Sequence, residues 1–157
     1  MKAKKKFIVV AYDTHREHKG ATDLFNSMLN YGYAILYSRI WQALLHARLN
    51  PYDSVTHVRQ SGKPTFVFDC VELFRAQAVD RVIVSLVQKG KKLGMKDSLL
   101  SDDTKKEVAA AVLERMNRYE KYRGVEMTLT SIFIQQAKEI ASFIVQGKTF
   151  KPYISKW

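Results

Sequence analysis

The spacing of apolar residues predicts four principal helices. The first helix begins at Thr22 or Asp23, which are residue types that cap helices, and runs to about Arg48. Asn50-Pro51 ends it, because a residue that precedes proline disfavours the helical conformation. Apolar positions of this helix follow the 3.6-residue period: Leu24, Met28, Tyr31, Ile35, Ile40, Leu44 and Leu45.

A second helical stretch is predicted from about Phe66 to Gln88, with a break around residues 75–77. A loop at 51–65, with a turn at Ser61-Gly62-Lys63-Pro64, precedes it. A basic loop, residues 90–101, follows it. The apolar stripe of this stretch consists of Val79, Val82, Ile83, Leu86 and Val87.

Two further helices are predicted in the C-terminal part. Asp102 or Asp103 caps the third helix, which runs to about Tyr119. Thr128 or Thr130 opens the fourth helix, which runs to Gln146 and is closed by Gly147. Residues 122–126 between them form a turn or a short strand, and residues 148–157 form a tail whose aromatic side chains pack on the body or on a partner.

The N-terminal residues have a different pattern. Basic residues precede a short β-like run at Phe7-Ile8-Val9-Val10, and a polar segment follows from Asp13 to Gly20. We therefore predict a mainly α protein, with a basic N-terminal arm or strand at 1–20 and one helical domain at 21–157.

The net charge indicates more about function than the rest of the composition does. The 157 residues carry a formal net charge of +11, and 16 of the 26 basic residues lie within residues 1–96, against 7 of the 15 acidic residues. A localised excess of positive charge favours a surface for a polyanion such as nucleic acid, although a merely basic domain has the same composition.

Composition excludes several classes of protein. A hydrophobic content of 46% excludes a disordered chain. No apolar run approaches the roughly 18 residues of a membrane span, so no membrane partner is expected. The single cysteine, Cys70, excludes an internal disulfide and fits a reducing interior, so a cytoplasmic location is expected.

Two carboxylates and a histidine are the first candidates for chemistry. Asp69 and Glu72 are three residues apart, so a helix places them on one face, and His57 lies twelve residues before Asp69. Carboxylates with an imidazole suit Mg²⁺ or Mn²⁺. The alternative is a solvated acid pair and an incidental histidine.

The remaining candidates surround this group. Phosphate contacts are predicted for basic side chains, which can equally be ordinary surface charge: Arg39, Arg59, Lys63, Arg75 and Arg81. Aromatic residues of the first helix suit core packing or nucleobase stacking: Tyr31, Tyr33, Tyr37 and Trp41. Cys70 has no neighbouring base, so a buried thiol is expected.

Linked motifs resemble the CRISPR spacer-acquisition integrase family. They are Gly20-Ala21-Thr22-Asp23, Asn30 to Leu36, His57, Gly62-Lys63-Pro64, Val67-Phe68-Asp69, Glu72, Phe74-Arg75, Val79-Asp80-Arg81, Tyr122-Arg123-Gly124 and Lys151-Pro152-Tyr153 to Trp157. Together they span about residues 19–157, in the order found in the helical catalytic domain of that family.

The resemblance implies metal-dependent DNA strand transfer, in which a 3′-hydroxyl attacks a phosphodiester to insert a spacer into a CRISPR array. It makes His57 and Glu72 ligands of Mg²⁺ or Mn²⁺, with Asp69 as a supporting acid. The implied partners are double-stranded DNA, as spacer precursor and as CRISPR repeat and leader, and further copies of the chain in a dimer or tetramer. A second Cas adaptation protein is left open.

One feature of the family has no match. Its third ligand is a glutamate on an upstream helix, and its N-terminal β domain precedes that helix; neither has a matching position before His57. We therefore expect a compact integrase in which Glu17 or Asp13 of the arm supplies a further ligand. The alternatives are a catalytically inactive DNA-binding accessory relative and a helical protein-interaction module.

Overall fold

The computed structural model of the chain describes residue 21 and residues 23–54, 61–89 and 92–154, and it is mainly α-helical, as predicted. The predicted arm at 1–20 lies outside the described residues. Five α-helices, a π-helical segment and two small hairpins follow one another: α1 Leu24–His46, α2 Thr65–Glu72, the π segment Ala76–Asp80, α3 Arg81–Gln88, β1 Met95–Lys96, β2 Leu99–Leu100, α4 Asp102–Asn117, β3 Tyr119–Tyr122, β4 Val125–Thr128 and α5 Leu129–Gln146. None of the described helices has the length and apolar character needed to cross a membrane.

The ends of α1 and α5 are formed by the residue types that the sequence indicated. The Asn26 backbone N–H donates to Oδ1 of Asp23 at 2.8 Å, which caps α1. Thr128 caps α5 in the same way, and Gly147 ends it with a φ of 65°. These side-chain acceptors satisfy N–H groups that the first helical turn leaves without a partner. Both predictions are confirmed.

The cap of α4 was predicted one residue too late. Ser101, rather than Asp102 or Asp103, has extended backbone angles and accepts from the Thr104 backbone N–H at 3.3 Å. The two aspartates lie inside the first turn, where their charges face the positive end of the helix dipole. The helix also ends earlier than predicted, at Asn117.

The predicted break in the second stretch is confirmed. Helix α2 ends at Glu72, and the chain continues through a π-helical turn at Ala76–Asp80 into α3. The break divides the predicted four helices into five. A π-helical turn adds a residue to the local repeat and shifts the face that the following residues present. Asp80 ends this turn and Arg81 begins α3.

The described residues form two β-hairpins, of which the sequence indicated only the turn of one. The expected turn at 122–126 is the tip of a longer antiparallel hairpin in which Tyr119 pairs with Thr128 and Tyr122 with Val125. Arg123 and Gly124 both have positive φ, 50° and 87°, as a tight two-residue hairpin turn requires. Within the basic loop, Asp97 and Ser98 make a similar turn between β1 and β2.

Helix α1 lies at the centre of the core and packs against the π segment and helices α2 to α5. Fully buried side chains along it include Met28 and Leu36. Gly32 makes the closest approach, since a Cβ at this position would lie 2.6 Å from Cγ1 of Val79. This contact gives a packing reason for the glycine in the Asn30 to Leu36 motif.

The C-terminal tail packs on the body of the same chain. The Tyr153 ring stacks on Phe74 with centroids 5.3 Å apart, and its hydroxyl donates to Oε2 of Glu120 at 2.5 Å. The backbone N–H of Tyr153 donates to Oε1 of the buried Gln136 at 2.7 Å. Of the two alternatives for the tail, Tyr153 therefore follows the first, packing on the body.

Candidate functional site

The predicted acid pair lies on α2, which is held at its start by the preceding loop. The Phe66 backbone N–H donates to the carbonyl of Pro51 at 3.0 Å. Oγ of Ser54 then donates to Oδ2 of Asp69 at 2.6 Å, which fixes the orientation of that carboxylate. Glu72 lies one helical turn further on, and its side chain is 57% exposed. The pair therefore presents one braced carboxylate and one accessible carboxylate.

Arg75 holds the accessible carboxylate. Its Nη1 donates to Oε1 and Oε2 of Glu72 at 2.9 and 3.0 Å, and its guanidinium lies 5.3 Å from the centroid of the Tyr33 ring. Although burial opposes a charged group, the Tyr33 phenol and the Glu72 carboxylate raise the pKa of Arg75 above its usual value. Arg75 therefore stays a cation beside the acid pair.

Tyr33 connects this group to the π segment. Its hydroxyl makes a short hydrogen bond to Oδ1 of Asp80. Burial and the Asp80 carboxylate both raise the pKa of the Tyr33 phenol, so it remains a neutral donor. A chain of contacts thus runs from Asp80 through Tyr33 and Arg75 to Glu72, and it positions the Glu72 carboxylate relative to the core.

An open cavity of about 420 Å³ lies beside this chain of contacts. We call it the α1–α2 cavity. It is lined by Asn30, Tyr33, Ala34, Tyr37, Phe68, Val71, Glu72 and Arg75. Such a volume is within the range of ligand pockets, and one wall carries both a carboxylate and a guanidinium.

Aromatic rings form the apolar side of this region. Tyr37 lies 5.5 Å from Phe68 and 6.2 Å from Trp41, and Trp41 meets Tyr52 edge-on at 5.6 Å. The aromatic rings of α1 pack against the core, which is one of the two roles that the sequence suggested for them. Phe68 of α2, in contrast, is 38% exposed. Exposed ring faces next to charged groups are suitable for stacking with bases.

Cys70, next to Asp69, is a buried thiol, as predicted. Burial, with a smaller contribution from the Asp69 charge, raises its pKa to about 12. A thiol with this pKa is protonated near neutral pH and is a poor nucleophile. Nucleophilic cysteine chemistry at this position is therefore not supported.

Several of the other predicted site residues cannot be placed relative to the acid pair. His57, Arg59, Asp13 and Glu17 lie outside the described residues. Within the described ranges there is no group of three or more His, Cys, Asp or Glu placed to hold a metal ion. The donors that are described, the oxygens of Asp69 and Glu72, are of the kind that Mg²⁺ and Mn²⁺ prefer.

Of the predicted phosphate contacts that lie in the described ranges, Arg75 alone lines the α1–α2 cavity. Lys63 is exposed in the turn before α2, and Nη1 of Arg39 donates to Gln42 on α1 at 3.5 Å. Arg81 lines a separate cavity between α3 and α4. The four basic residues of this set that the structure describes are thus not gathered at one site.

The Tyr33–Asp80 contact was missed, because the two residues are 47 positions apart. Each lies in a motif that carried the family resemblance, Tyr33 in Asn30 to Leu36 and Asp80 in Val79-Asp80-Arg81. An acid within the apolar stripe of the second stretch was the available signal, since such an acid needs a polar partner.

Sequence and fold comparisons identify proteins similar to this chain. A family model described as CRISPR associated protein Cas1 matches residues 10–114. A CRISPR-associated endonuclease Cas1 of Francisella tularensis subsp. novicida is 34% identical over 155 residues, covering 99% of this chain and 47% of that protein. One of Archaeoglobus fulgidus is 33% identical over 143 residues, covering 87% of this chain and 41% of that protein.

Two solved structures share the fold. A casposase bound to integration product has a TM-score of 0.80 at 23% identity, over 92% of this chain and 45% of that one. A CAS1 protein from Thermotoga maritima has a TM-score of 0.72 at 17% identity, over 77% of this chain and 40% of that one. The chain spans about half the length of the curated relatives it matches.

Proposed function

The chain belongs to the Cas1 family of CRISPR-associated proteins, and from this premise we propose that it carries the DNA strand-transfer centre of a CRISPR adaptation integrase. The observation that carries the proposal is the position of Glu72 on the wall of the α1–α2 cavity, beside its cationic and aromatic side chains. Asp69 lies three residues before Glu72 on α2 and lines another pocket of that helix. The names of the relatives, which call them endonucleases, support the same class of activity.

The reaction is an exchange of phosphodiester bonds. A terminal 3′-hydroxyl oxygen forms a bond to a target phosphorus, the bond from phosphorus to the leaving 3′-oxygen breaks, and the proton lost by the attacking hydroxyl is balanced by one gained by the leaving oxygen. The number of phosphodiesters does not change, so the protein must position the ends and neutralise charge.

The carboxylates would hold the metal. Asp69, Glu72 and, from the family resemblance, His57 would hold Mg²⁺ or Mn²⁺. When bound, this ion would polarise the phosphodiester and activate the attacking 3′-oxygen. Ser54 fixes the Asp69 carboxylate, and Arg75 orients the Glu72 carboxylate. Glu17 or Asp13 of the N-terminal arm would supply a further carboxylate.

The DNA would lie along the cationic and aromatic walls. Arg75, which lines the α1–α2 cavity, would contact a phosphate there, and Lys63 would extend the positive charge to the start of α2. Tyr37 and Phe68 offer ring faces for an unpaired base near the strand end. Arg39 and Arg59 complete the proposed set of phosphate contacts.

Insertion of a spacer requires strand transfer on both target strands, so two centres must be held together. We expect symmetric self-association into a dimer or tetramer. Apolar side chains at the end of α5 are available for such a contact, including Phe143 at 52% and Val145 at 80% exposure. Val145→Glu should then reduce the oligomer size measured by light scattering, and an unchanged size would contradict this contact.

A second candidate function is a DNA-binding accessory relative without catalysis. The specific observation that favours it is the Glu72–Arg75 pair, because a guanidinium on both carboxylate oxygens competes with a metal ion. In that case DNA is retained but strands are not joined.

The deciding experiment incubates the protein with labelled duplex bearing 3′-hydroxyl ends, supercoiled target and Mn²⁺. Joined products that disappear with EDTA and in His57→Ala support the integrase. DNA retention without products supports the accessory function. Absence of salt-sensitive DNA binding contradicts both functions and favours a protein-interaction module.

A further inference from the structure

A second cavity, of about 430 Å³, lies between α3 and α4. We call it the α3–α4 cavity. It shares no lining residue with the α1–α2 cavity. It is lined by Arg81 and Ser85 of α3 and by Lys89, the residue that follows this helix; their four-residue spacing places them on one face. Its volume is within the range of small-ligand pockets.

Helix α4 and the start of the β3–β4 hairpin supply the opposite wall. Arg115 and Arg118 lie there with Glu114 and Glu120, so the cavity has four cationic and two anionic side chains. Arg118 and Glu114 form an exposed pair at 3.3 Å. The net charge of the lining is therefore about +2, close to the opposite of a phosphate monoester, which carries about −1.5 to −2 near neutral pH.

Arg115 is the cation of this wall whose side chain is most firmly fixed by its neighbours. Its Nη2 donates to Glu120, whose other oxygen accepts from Tyr153 at 2.5 Å, so the carboxylate is shared between two donors. Nη1 of Arg115 is buried and has no hydrogen-bond partner among the residues that the structure describes. A buried guanidinium N–H without an acceptor is costly, and a phosphate oxygen would satisfy it.

An aromatic side chain stands at the edge. Tyr119 lines the α3–α4 cavity and is 69% exposed. Exposed rings beside basic groups stack with nucleobases whatever the base identity. The cavity thus combines a cationic interior with an aromatic rim.

We propose that the α3–α4 cavity binds the terminal phosphate of a nucleotide, with Arg81 and Arg115 contacting the phosphate and Tyr119 stacking on the base. Two sources share this chemistry: a free nucleoside monophosphate and the 5′-phosphate of a DNA strand. The inference does not depend on the proposed strand transfer, because it concerns different residues and a different cavity.

The test measures binding of four probes by isothermal titration calorimetry. They are dAMP, deoxyadenosine, and a short single-stranded DNA with and without a 5′-phosphate. Tighter binding of dAMP than of deoxyadenosine supports the site with a free nucleotide as its source. A preference confined to the 5′-phosphorylated strand supports it with DNA as its source. No preference for phosphate in either comparison overturns the proposal.

Variants then assign the binding to the cavity. Arg81→Gln should lower the affinity for the phosphorylated probe by about tenfold or more, as expected for loss of a charge-assisted hydrogen bond. Lys89→Gln, at an exposed position, gives a second variant that does not endanger folding. Lys138→Gln removes an equal charge from an exposed position of α5, outside the cavity, and should bind the probe as tightly as the unaltered chain does.

Each variant is also measured for strand transfer. If Arg81→Gln and Lys89→Gln both bind the phosphorylated probe as tightly as the unaltered chain, the assignment to this cavity is wrong. A chain that binds dAMP but joins no strands supports the site and contradicts only the proposed function.

Discussion

Tyr33 links the Glu72–Arg75 pair to the π segment. Replacing it with phenylalanine removes the donor to Asp80 while keeping the ring beneath Arg75. We expect Tyr33→Phe to lower the free energy of unfolding by about 1–3 kcal/mol, because the half-buried Asp80 carboxylate loses a hydrogen bond. Urea unfolding measures the change. Tyr119→Phe, at an exposed ring, is the matched control and should change stability little; equal losses in both variants would refute a special role for Tyr33.

Gly32 tests the packing of α1 against the π segment. The added methyl group of Gly32→Ala would lie 2.6 Å from Cγ1 of Val79, which has no free space because it is fully buried. We expect a loss of about 1–3 kcal/mol from overpacking. Gly94→Ala is the matched control, since a Cβ there meets no atom within 4 Å. The contact is unimportant if thermal unfolding shows the two variants to be equally stable.

Single residues also show where prediction from sequence reached its limit. Asp69 and Glu72 were found because three-residue spacing on a helix fixes a shared face. Arg75 was named only as one of several basic residues around them. Tyr33 was considered only as an aromatic residue, since its partner Asp80 becomes a neighbour through the packing of α1 on the π segment. Local spacing contains no information about that contact.

At the scale of elements, the helices were predictable, whereas of the two hairpins only the turn at 122–126 was. Apolar periodicity predicts where α1 and α5 lie in the sequence, and the capping residues Asp23 and Thr128 predict where they begin. The tight turns of the hairpins use Asp97, Ser98 and Arg123 at positive φ, and these residue types give only a weak turn signal compared with glycine.

The tail provides a pH test at the same scale. Burial and the Glu120 carboxylate raise the pKa of the Tyr153 phenol above its ordinary value of 10.0. A group whose pKa is raised by folding contributes stability below its unfolded pKa and loses that contribution as pH rises beyond it. We therefore expect the melting temperature to fall more steeply from pH 9 to 11 in the unaltered chain than in Tyr153→Phe. Parallel curves in calorimetry would contradict the contact.

For the whole molecule, the net charge of +11 predicts DNA binding governed by phosphate contacts. Affinity for duplex DNA should fall by at least about tenfold between 50 and 200 mM salt, because each neutralised phosphate releases counterions. Fluorescence anisotropy at several salt concentrations measures the slope. Arg75→Gln should reduce the slope of log affinity against log salt concentration by about the amount that one phosphate contact contributes, whereas Lys138→Gln should leave the slope unchanged. If Lys138→Gln reduces the slope and Arg75→Gln does not, Arg75 does not contact the DNA.

The whole-molecule account rests on the claim that the acid pair on α2 is the centre of strand transfer. The most direct measurement is the single-turnover rate of strand joining with Mn²⁺ for Glu72→Gln, compared with Glu126→Gln, which removes an exposed carboxylate from β4. We expect Glu72→Gln to lose about 100-fold or more in rate while retaining DNA, and Glu126→Gln to react normally. Joining at an undiminished rate by Glu72→Gln would contradict the account.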